Sequence, residues 1–185
     1  PPLDNADHEA ARAKLEDLVA EGTIDRIVDV STSNAELAEL GLRWFGFPIQ
    51  FGHTADGGPV AASLFGFEVC SGDYVLHIDS DLLIARLDRA HDYLRELVRE
   101  LEADPEAVCA SLNISYTDDQ PWSSGGAQGP WRVEVRGAIF HRARLLASRP
   151  WPNELRDGAP VRKWHRALDE RIRADGLRSL RGGRS

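Results

Sequence analysis

Short strands alternate with amphipathic helices along the first two thirds of this chain, and this rhythm limits the folds that it can adopt. The segment Tyr74–Ile78 has the apolar character of a buried strand, and apolar residues at helical spacing follow it over 87–101. Strands separated by helices form βαβ units, in which the strands run in parallel. The sequence therefore predicts an α/β fold with a mostly parallel sheet flanked by helices.

The other elements are predicted from periodicity and from signals at their ends. Ser33 and Glu36 have the spacing of a capping box at a helix start, and Gly176 has the position of a helix C-cap. Helices are predicted over 11–19, 33–44, 59–69, 143–147 and 161–175, and strands over 24–30, 48–52, 108–116 and 131–140. We expect a single domain over 1–185, with a loose tail over 177–185.

Composition excludes several classes of protein. The chain has 185 residues and a formal net charge of −8, whereas nucleic-acid binders normally present a basic face, so we expect no nucleic-acid partner. No apolar run reaches the ~18–20 residues that span a bilayer, and the first residues do not resemble a secretory signal. Cys70 and Cys109 each lie in an apolar run, which predicts two buried thiols and no disulfide framework. These features predict a reducing, cytoplasmic location.

Polar residues follow three of the predicted strands. They are Asp29, the loop over 56–58, and the step Asp79-Ser80-Asp81. Open α/β sheets bind their ligands at the carboxyl ends of the strands. Two carboxylates one residue apart offer hard oxygen ligands of the kind that Mg²⁺ or Mn²⁺ shares with substrate phosphates. The pattern therefore favours a metal and phosphate site at this edge, although solvated acids at a strand-end turn are the simpler alternative.

Four segments resemble a known family. Residues 72–81 resemble the strand and DxD motif of family 2 glycosyltransferases, which have a GT-A-type fold. Residues 57–62 are similar to that family's Gly-Gly-rich helix entry, and residues 27–32 to its nucleotide-contacting strand end, where a second Asp is commoner than Val30. Residues 137–142 resemble the strand before its acceptor-side region. The order and spacing of these segments make the resemblance fairly specific.

The resemblance implies an enzyme that moves a sugar from a nucleoside diphosphate sugar to a hydroxyl acceptor, with inversion as the expected course. The acceptor would be a glycan, a lipid or a small molecule. By the same resemblance, Asp29 contacts the base or ribose, Gly57 and Gly58 form a substrate cradle, and Asp79 contacts the ribose or metal. Asp81 would hold Mn²⁺ or Mg²⁺ on the diphosphate, where the metal offsets charge on the leaving group.

The chain departs from the family pattern in two places. The family's first strand is not visible, and because the chain has no Met and begins with two prolines, we expect a fragment whose first strand lies upstream. Inverting members carry an acidic pair before the last helix ends, and counting back from Gly176 those positions hold Trp164 and His165. His165 is a candidate base or metal ligand, or a structural helix residue, with Asp169 and Asp157 as the acidic alternatives for the base.

Two rival hypotheses compete with a glycosyltransferase. The first is a non-catalytic glycosyltransferase-like module that binds a sugar nucleotide or a partner without turnover. The second is an enzyme of another class, either a sugar-phosphate nucleotidyltransferase or a haloacid-dehalogenase-type phosphatase. The nucleotidyltransferase should show a Gly-rich basic loop near its start, and none is present. The phosphatase usually has Thr or Val where Leu83 stands.

Overall fold

The structure, a computed structural model, describes residues 5–30, 33–79, 82, 89–112 and 131–182. The chain divides into two compact units, Pro1–Ser31 and Thr32–Ser185, where the sequence predicts one domain over 1–185. In the first unit, helix α1 (Asn5–Ala20) is followed by a turn in which Gly22 has a positive φ of 72°. The strand predicted over 24–30 is wrong, because these residues form turns and irregular backbone.

The second unit is a mixed α/β structure, as the sequence predicts. Its helices are α2 (Asn34–Phe45), α3 (Ala61–Val69), α4 (Tyr93–Ala103), α5 (Arg142–Ala147) and α6 (Trp164–Asp175). Its strands are β1 (Tyr74–Ile78), β2 (Ala107–Leu112), β3 (Gly137–His141), β4 (Leu155–Arg156), β5 (Ala159–Pro160) and β6 (Arg178–Gly182). In the part of the chain that the structure describes, no helix is long and apolar enough to cross a membrane.

The main sheet has the strand order β1-β3-β2-β6. Strand β3 is antiparallel to both β1 and β2, and only β2 and β6 pair in parallel. The mostly parallel sheet predicted from the sequence is therefore wrong for the described strands. The physical reason is that β1 and β2, although separated by α4, are not neighbours: β3 comes later in the chain and inserts between them in the opposite direction.

Both faces of this sheet carry buried apolar side chains, because side chains alternate along its strands. On one face, Ile139 and Ala110 pack with Leu97 and Leu101 of α4. The other face belongs to the larger core, in which residues of β1, β2 and β3 pack with α2, α3 and α6. Its strand residues include Val75, Cys109 and Phe140, and its helix residues include Leu40, Leu64, Phe67, Trp164 and Leu168. Each such buried side chain stabilises the fold by about 1.5–3 kcal/mol.

Helix ends follow the predicted capping residues where those residues make the expected bonds. The Ser33 hydroxyl accepts a hydrogen bond from the backbone N–H of Glu36, which confirms the capping box of α2. Gly176 has a φ of 69° and its N–H donates to the carbonyl of Ile172, which confirms the C-cap of α6. Helix α6 begins at Trp164 and not at 161, because Lys163 before it has the non-helical backbone of an N-cap residue, with a ψ of 149°.

Three further sequence predictions are corrected by hydrogen bonding. The segment over 131–136, predicted as strand, is irregular because its backbone donors are taken by side chains: the N–H of Val133 donates to Asp169, and that of Arg136 to Glu134. The tail predicted to be loose over 177–185 contains strand β6, which pairs with β2 and whose Leu180 packs beneath α4. Residues 48–52 form no strand, and the N–H of Gln50 donates instead to Gly158.

Candidate functional site

Asp79 lies directly after β1, at the end of the strand where the sequence predicts a ligand. Its backbone N–H donates to the carbonyl of Arg136 at 3.0 Å, which fixes the backbone at this point. Its carboxylate is 39% exposed and its Oδ1 lies 3.9 Å from Nδ1 of His77. A half-exposed carboxylate on a fixed backbone is suited to binding a cation from solvent.

His77 links this strand end to helix α6. Its Nδ1 lies 2.7 Å from the carbonyl oxygen of Val135, and because a carbonyl only accepts, Nδ1 carries the proton and donates. The imidazole also packs against Trp164, the first residue of α6, with ring centroids 5.3 Å apart. Trp164 is only 3% exposed and contacts Phe67 as well. The position at which the family carries an acid is therefore filled here by a core aromatic residue.

The loop with Gly57 and Gly58 reaches the same end of α6. The Thr54 hydroxyl inside the loop is buried, donates to the Asp56 carboxylate and accepts from the N–H of Gly58. The bond from Thr54 lowers the pKa of Asp56 below its ordinary value. A Cβ on Gly58 would lie 2.6 Å from Cε of Lys163, so glycine permits this close approach. Gly57 has a φ of 87° and forms the turn.

His165 is the second residue of α6 and is partly buried. Its pKa is lowered to about 4, first by burial and then by the positive charges of Arg166, Lys163 and Arg132, while Glu134 opposes the shift. The imidazole is therefore neutral at physiological pH. A neutral imidazole has a free nitrogen lone pair, which can accept a proton or a hydrogen bond.

Asp169, the acidic alternative one turn along α6, has both oxygens occupied. Its Oδ1 accepts from the N–H of Val133 at 2.7 Å, and its Oδ2 lies 2.7 Å from Nη1 of Arg166 and 3.3 Å from Nη1 of Arg132. Burial raises its pKa, and this effect outweighs the hydrogen bonds that lower it. These contacts make Asp169 the residue that ties the segment over 131–136 to α6.

Asp157 lies in the turn between β4 and β5, is exposed, and has a positive φ of 51°. The hairpin is joined to the Gly57 loop, since the N–H of Ala55 donates to the carbonyl of Pro160 at 3.3 Å. Asp29 belongs to the first unit, where its exposed carboxylate pairs with Arg12 at 2.7 Å.

The predicted metal site is described only in part, because Asp81 lies outside the described residues. Within 5–30, 33–79, 82, 89–112 and 131–182, no group of three or more His, Cys, Asp or Glu could hold a metal ion. Asp79 still fits the role of one oxygen ligand, because Mg²⁺ usually binds one or two carboxylates and takes its other ligands from water and substrate phosphates. The prediction for Asp79 and Asp81 remains a prediction.

Sequence reasoning missed a charged cluster beside α6. Glu134 is buried, accepts two hydrogen bonds from the Arg136 guanidinium at 2.9 Å, and lies 3.5 Å from Arg181. Burial raises the pKa of Glu134, but the bonds from Arg136 outweigh it and leave that pKa below its ordinary value. The alternating pattern over 131–140 assigned these charges to a solvent face. Arg136 is only two residues from Glu134, but Arg181 is 47 residues away, and no local pattern reveals that partner.

Three of the predicted elements thus meet at the start of α6: the loop with Gly58, the end of β1 with His77 and Asp79, and His165. Asp29 lies in the other unit, and Asp157 lies on the neighbouring hairpin. Comparison with models of known protein families, with curated proteins and with solved structures finds no match to this chain.

Proposed function

We propose that this chain is a metal-dependent glycosyltransferase of GT-A type, which moves a sugar from a nucleoside diphosphate sugar to a hydroxyl acceptor with inversion. The observation that carries the proposal is the meeting of three distant segments at the start of α6. Gly58 contacts Lys163, the His77 ring contacts Trp164, and Asp79 follows His77 at the strand end. A transferase needs donor and acceptor groups side by side, and this arrangement offers both.

On the donor side, the half-exposed carboxylate of Asp79 would hold Mn²⁺ or Mg²⁺ together with Asp81. When bound, the metal offsets the negative charge that develops on the leaving diphosphate. Gly57 leaves its backbone open to close approach by a substrate, since a Cβ there would meet nothing within 4 Å, whereas Gly58 is covered by the side chain of Lys163.

On the acceptor side, the three candidate bases differ in what already binds them. Asp169 is held by two arginines and a backbone N–H, and Asp157 lies on an exposed turn. His165 is neutral, with a pKa of about 4, so its basicity is that of an ordinary aspartate. His165 is therefore the best placed of the three to take the proton from an acceptor hydroxyl during direct displacement.

A specific observation favours the second candidate, a module that binds sugar nucleotide without turnover. Trp164, which is buried in the core, stands where the glycosyltransferase family has an acid. Asp169 on the same helix already forms ion pairs with Arg132 and Arg166. Such a module would retain the carboxylates of the donor side and lack an effective base.

The test of donor binding is isothermal titration of the full chain with Mn²⁺ and a panel of nucleoside diphosphates. We expect Mn²⁺-dependent binding of one nucleotide, and loss of most of that binding in Asp79→Asn and in Asp81→Ala. Asp73→Asn is the matched control, because Asp73 is an exposed acid at the other end of the same strand. Absence of binding across the panel, or equal binding by Asp81→Ala, would overturn the proposal.

Turnover separates the two candidates. We expect the intact protein to hydrolyse or transfer the sugar of the donor whose nucleotide it binds, and His165→Asn to bind that nucleotide normally but to turn over at least about tenfold more slowly, since general base catalysis contributes about 10²–10⁴-fold. Nucleotide binding with no turnover by the intact protein would establish the non-catalytic module instead.

A further inference from the structure

Positive charge is concentrated in the last third of an otherwise acidic chain. Residues 131–182 contain 13 Lys and Arg against 6 Asp and Glu, whereas residues 1–130 contain 8 against 24. A local excess of one charge in a protein of opposite net charge raises the local concentration of ligands of the other sign. Whether one of these basic side chains can bind a ligand depends on the partners that it already has within the protein.

Most of the basic side chains that the structure describes are engaged within the protein. Four donate to backbone carbonyl groups: Arg142, Arg144, Arg149 and Arg171. Five pair with carboxylates outside the Asp169 cluster: Arg136, Arg162, Arg173, Arg178 and Arg181. These nine side chains are therefore already bound to other groups of the protein.

Three of the remaining cations lie near the start of α6, and two of them, Arg132 and Arg166, share one carboxylate. Arg132 is 36% exposed and Arg166 is 40% exposed, and both contact the same oxygen of Asp169. Lys163 is exposed, and within the described residues its ammonium makes no hydrogen bond or ion pair. A guanidinium has five N–H donors, so both arginines keep donors beyond those that Asp169 uses. The cluster carries three positive charges, of which the two arginines contact Asp169 while the charge of Lys163 interacts with Asp56.

Asp169 also orients these cations. Its Oδ1 is fixed by the backbone of Val133 and its Oδ2 by Arg166, so the two guanidinium groups are held next to each other before any ligand arrives. Preorganised donors cost less entropy on binding than free side chains do. Planar guanidinium groups match the oxygen pairs of phosphate and carboxylate.

We propose that Arg132, Lys163 and Arg166 form an oxyanion site, and that its occupant is a phosphate or carboxylate group carried by the acceptor. The assignment of the anion to the acceptor rests on the proposed function. Arg132, Lys163 and Arg166 all act on the charge of His165, the candidate base, and that base must meet the acceptor hydroxyl. The site therefore gives the transferase a preference for negatively charged acceptors over neutral sugars.

The bound anion also acts on His165. The groups that face this imidazole are Arg166, Lys163 and Arg132, which disfavour its protonation, and Glu134, which favours it. An anion held between the cations offsets their charge, so the imidazole becomes more basic when the acceptor is present. The acceptor would thus improve the base that activates it.

Anion binding is tested by isothermal titration of the full chain with inorganic phosphate at low ionic strength, without metal or nucleotide. We expect Lys163→Gln to weaken phosphate binding about threefold, since an exposed charge pair is worth about 0.2–1 kcal/mol, and Lys163→Gln with Arg166→Gln to abolish it. Lys163→Gln leaves both pairs of Asp169 in place, so it keeps the fold. Arg173→Gln is the control, because Arg173 lies on the same helix and pairs with Glu170.

Three further measurements define the occupant. Glucuronate is expected to compete with phosphate and glucose is not. Phosphate is expected to bind equally when the protein is saturated with Mn²⁺ and its nucleotide, because the anion belongs to the acceptor. Phosphate is also expected to raise the pKa of His165 measured by NMR, in the wild type and not in the double variant.

The proposal is overturned if phosphate does not bind, if Lys163→Gln binds it as tightly as Arg173→Gln does, or if the nucleotide displaces it, which would assign the cations to the donor. Since the first titration contains neither metal nor nucleotide, its failure is distinct from a failure of the proposed function.

Discussion

A single carboxylate, that of Asp169, holds two arginines and a backbone amide beside the candidate site. We predict that Asp169→Asn lowers the free energy of unfolding by about 2–4 kcal/mol, because removing one partner of a buried charge group leaves the others uncompensated. Here the arginines are partly exposed, which keeps the loss below that of a fully buried pair. Urea denaturation measures the change.

The control for this variant is Asp175→Asn, on the same helix. Asp175 pairs with Arg171 at the surface, and an exposed pair contributes about 0–1 kcal/mol. Equal losses in the two variants would show that Asp169 has no special structural role, and the interpretation of its ion pairs would then be wrong.

The two cysteines also differ at the residue scale. Cys109 is fully buried in β2, its thiol donates to the Ser179 hydroxyl at 3.3 Å, and burial raises its pKa to about 12. Cys70 is partly exposed after α3. Because the thiolate is the reactive form, we predict that a thiol reagent at mildly alkaline pH labels only Cys70 in the native protein and both cysteines after denaturation.

Mass spectrometry of the labelled peptides checks this prediction. Labelling of Cys109 at the same rate as Cys70 would mean that β2 opens readily, in conflict with its central position between β3 and β6.

Charged residues in the interior were the part of the site that the sequence could not predict. Arg166 and Asp169 are one helical turn apart, a spacing that a sequence pattern can use. Arg132 reaches the same carboxylate from 37 residues away, and Arg181 reaches Glu134 from 47 residues away. Without those partners, a charged residue in an alternating segment is assigned to solvent, which is the physical reason why Glu134 was missed.

At the scale of elements, α2 depends on a glycine in its middle. A Cβ on Gly41 would lie 2.6 Å from the carbonyl oxygen of Phe47 and 2.7 Å from the backbone N of Ile49. These are backbone atoms, which cannot move aside as the end of a flexible side chain can. We predict that Gly41→Ala destabilises the protein by about 1–3 kcal/mol, the cost of overpacking, although alanine is the better helix former.

Gly66 on α3 is the matched control, because it is also helical and a Cβ there meets nothing within 4 Å. We expect Gly66→Ala to be neutral or to stabilise by up to about 1 kcal/mol. Thermal denaturation of both variants measures the contrast. A Gly41→Ala protein as stable as Gly66→Ala would show that the 47–49 segment does not cross α2 this closely.

Elements with their own end signals were predicted well, and their assembly was not. Strand β1 has the bounds that the sequence predicts, and α2 begins at its capping box. The placement of β3 between β1 and β2 depends on contacts among three strands that no local signal encodes. The same holds for Trp164, whose role in the core follows from its contacts with His77 and Phe67.

At the scale of the whole molecule, the acidic and the basic part of the sequence meet at α6. The basic last third of the chain supplies α6, β6 and the segment over 131–136, and the acidic part supplies the Gly57 loop and β1. The candidate site lies where these two parts meet, with Asp79 on one side and Lys163 on the other. Under the two proposals, the first part would bind the cation and the second part would bind the anion.

The dependence of global stability on pH is a consequence of the burial of His165. Its pKa is about 4 in the folded chain and about 6.5 when unfolded, so between these values the unfolded state binds more protons. Stability is therefore complete above about pH 6.5 and falls as the pH is lowered towards 4, by up to about 3 kcal/mol. Asp169, whose pKa is raised by burial, acts in the opposite direction, because its carboxyl group binds a proton more readily in the folded chain than in the unfolded one.

Urea unfolding at several pH values between about 7 and 5 measures this slope. We expect the wild type to lose stability across that interval and His165→Gln to lose distinctly less, because the variant has no imidazole to protonate on unfolding. His53→Gln is the control for removal of a histidine elsewhere, and it should keep the wild-type difference between the two ends of the interval. If His165→Gln and His53→Gln have the same slope, His165 is not the group whose burial opposes protonation, and the cations around it do not act on it as proposed.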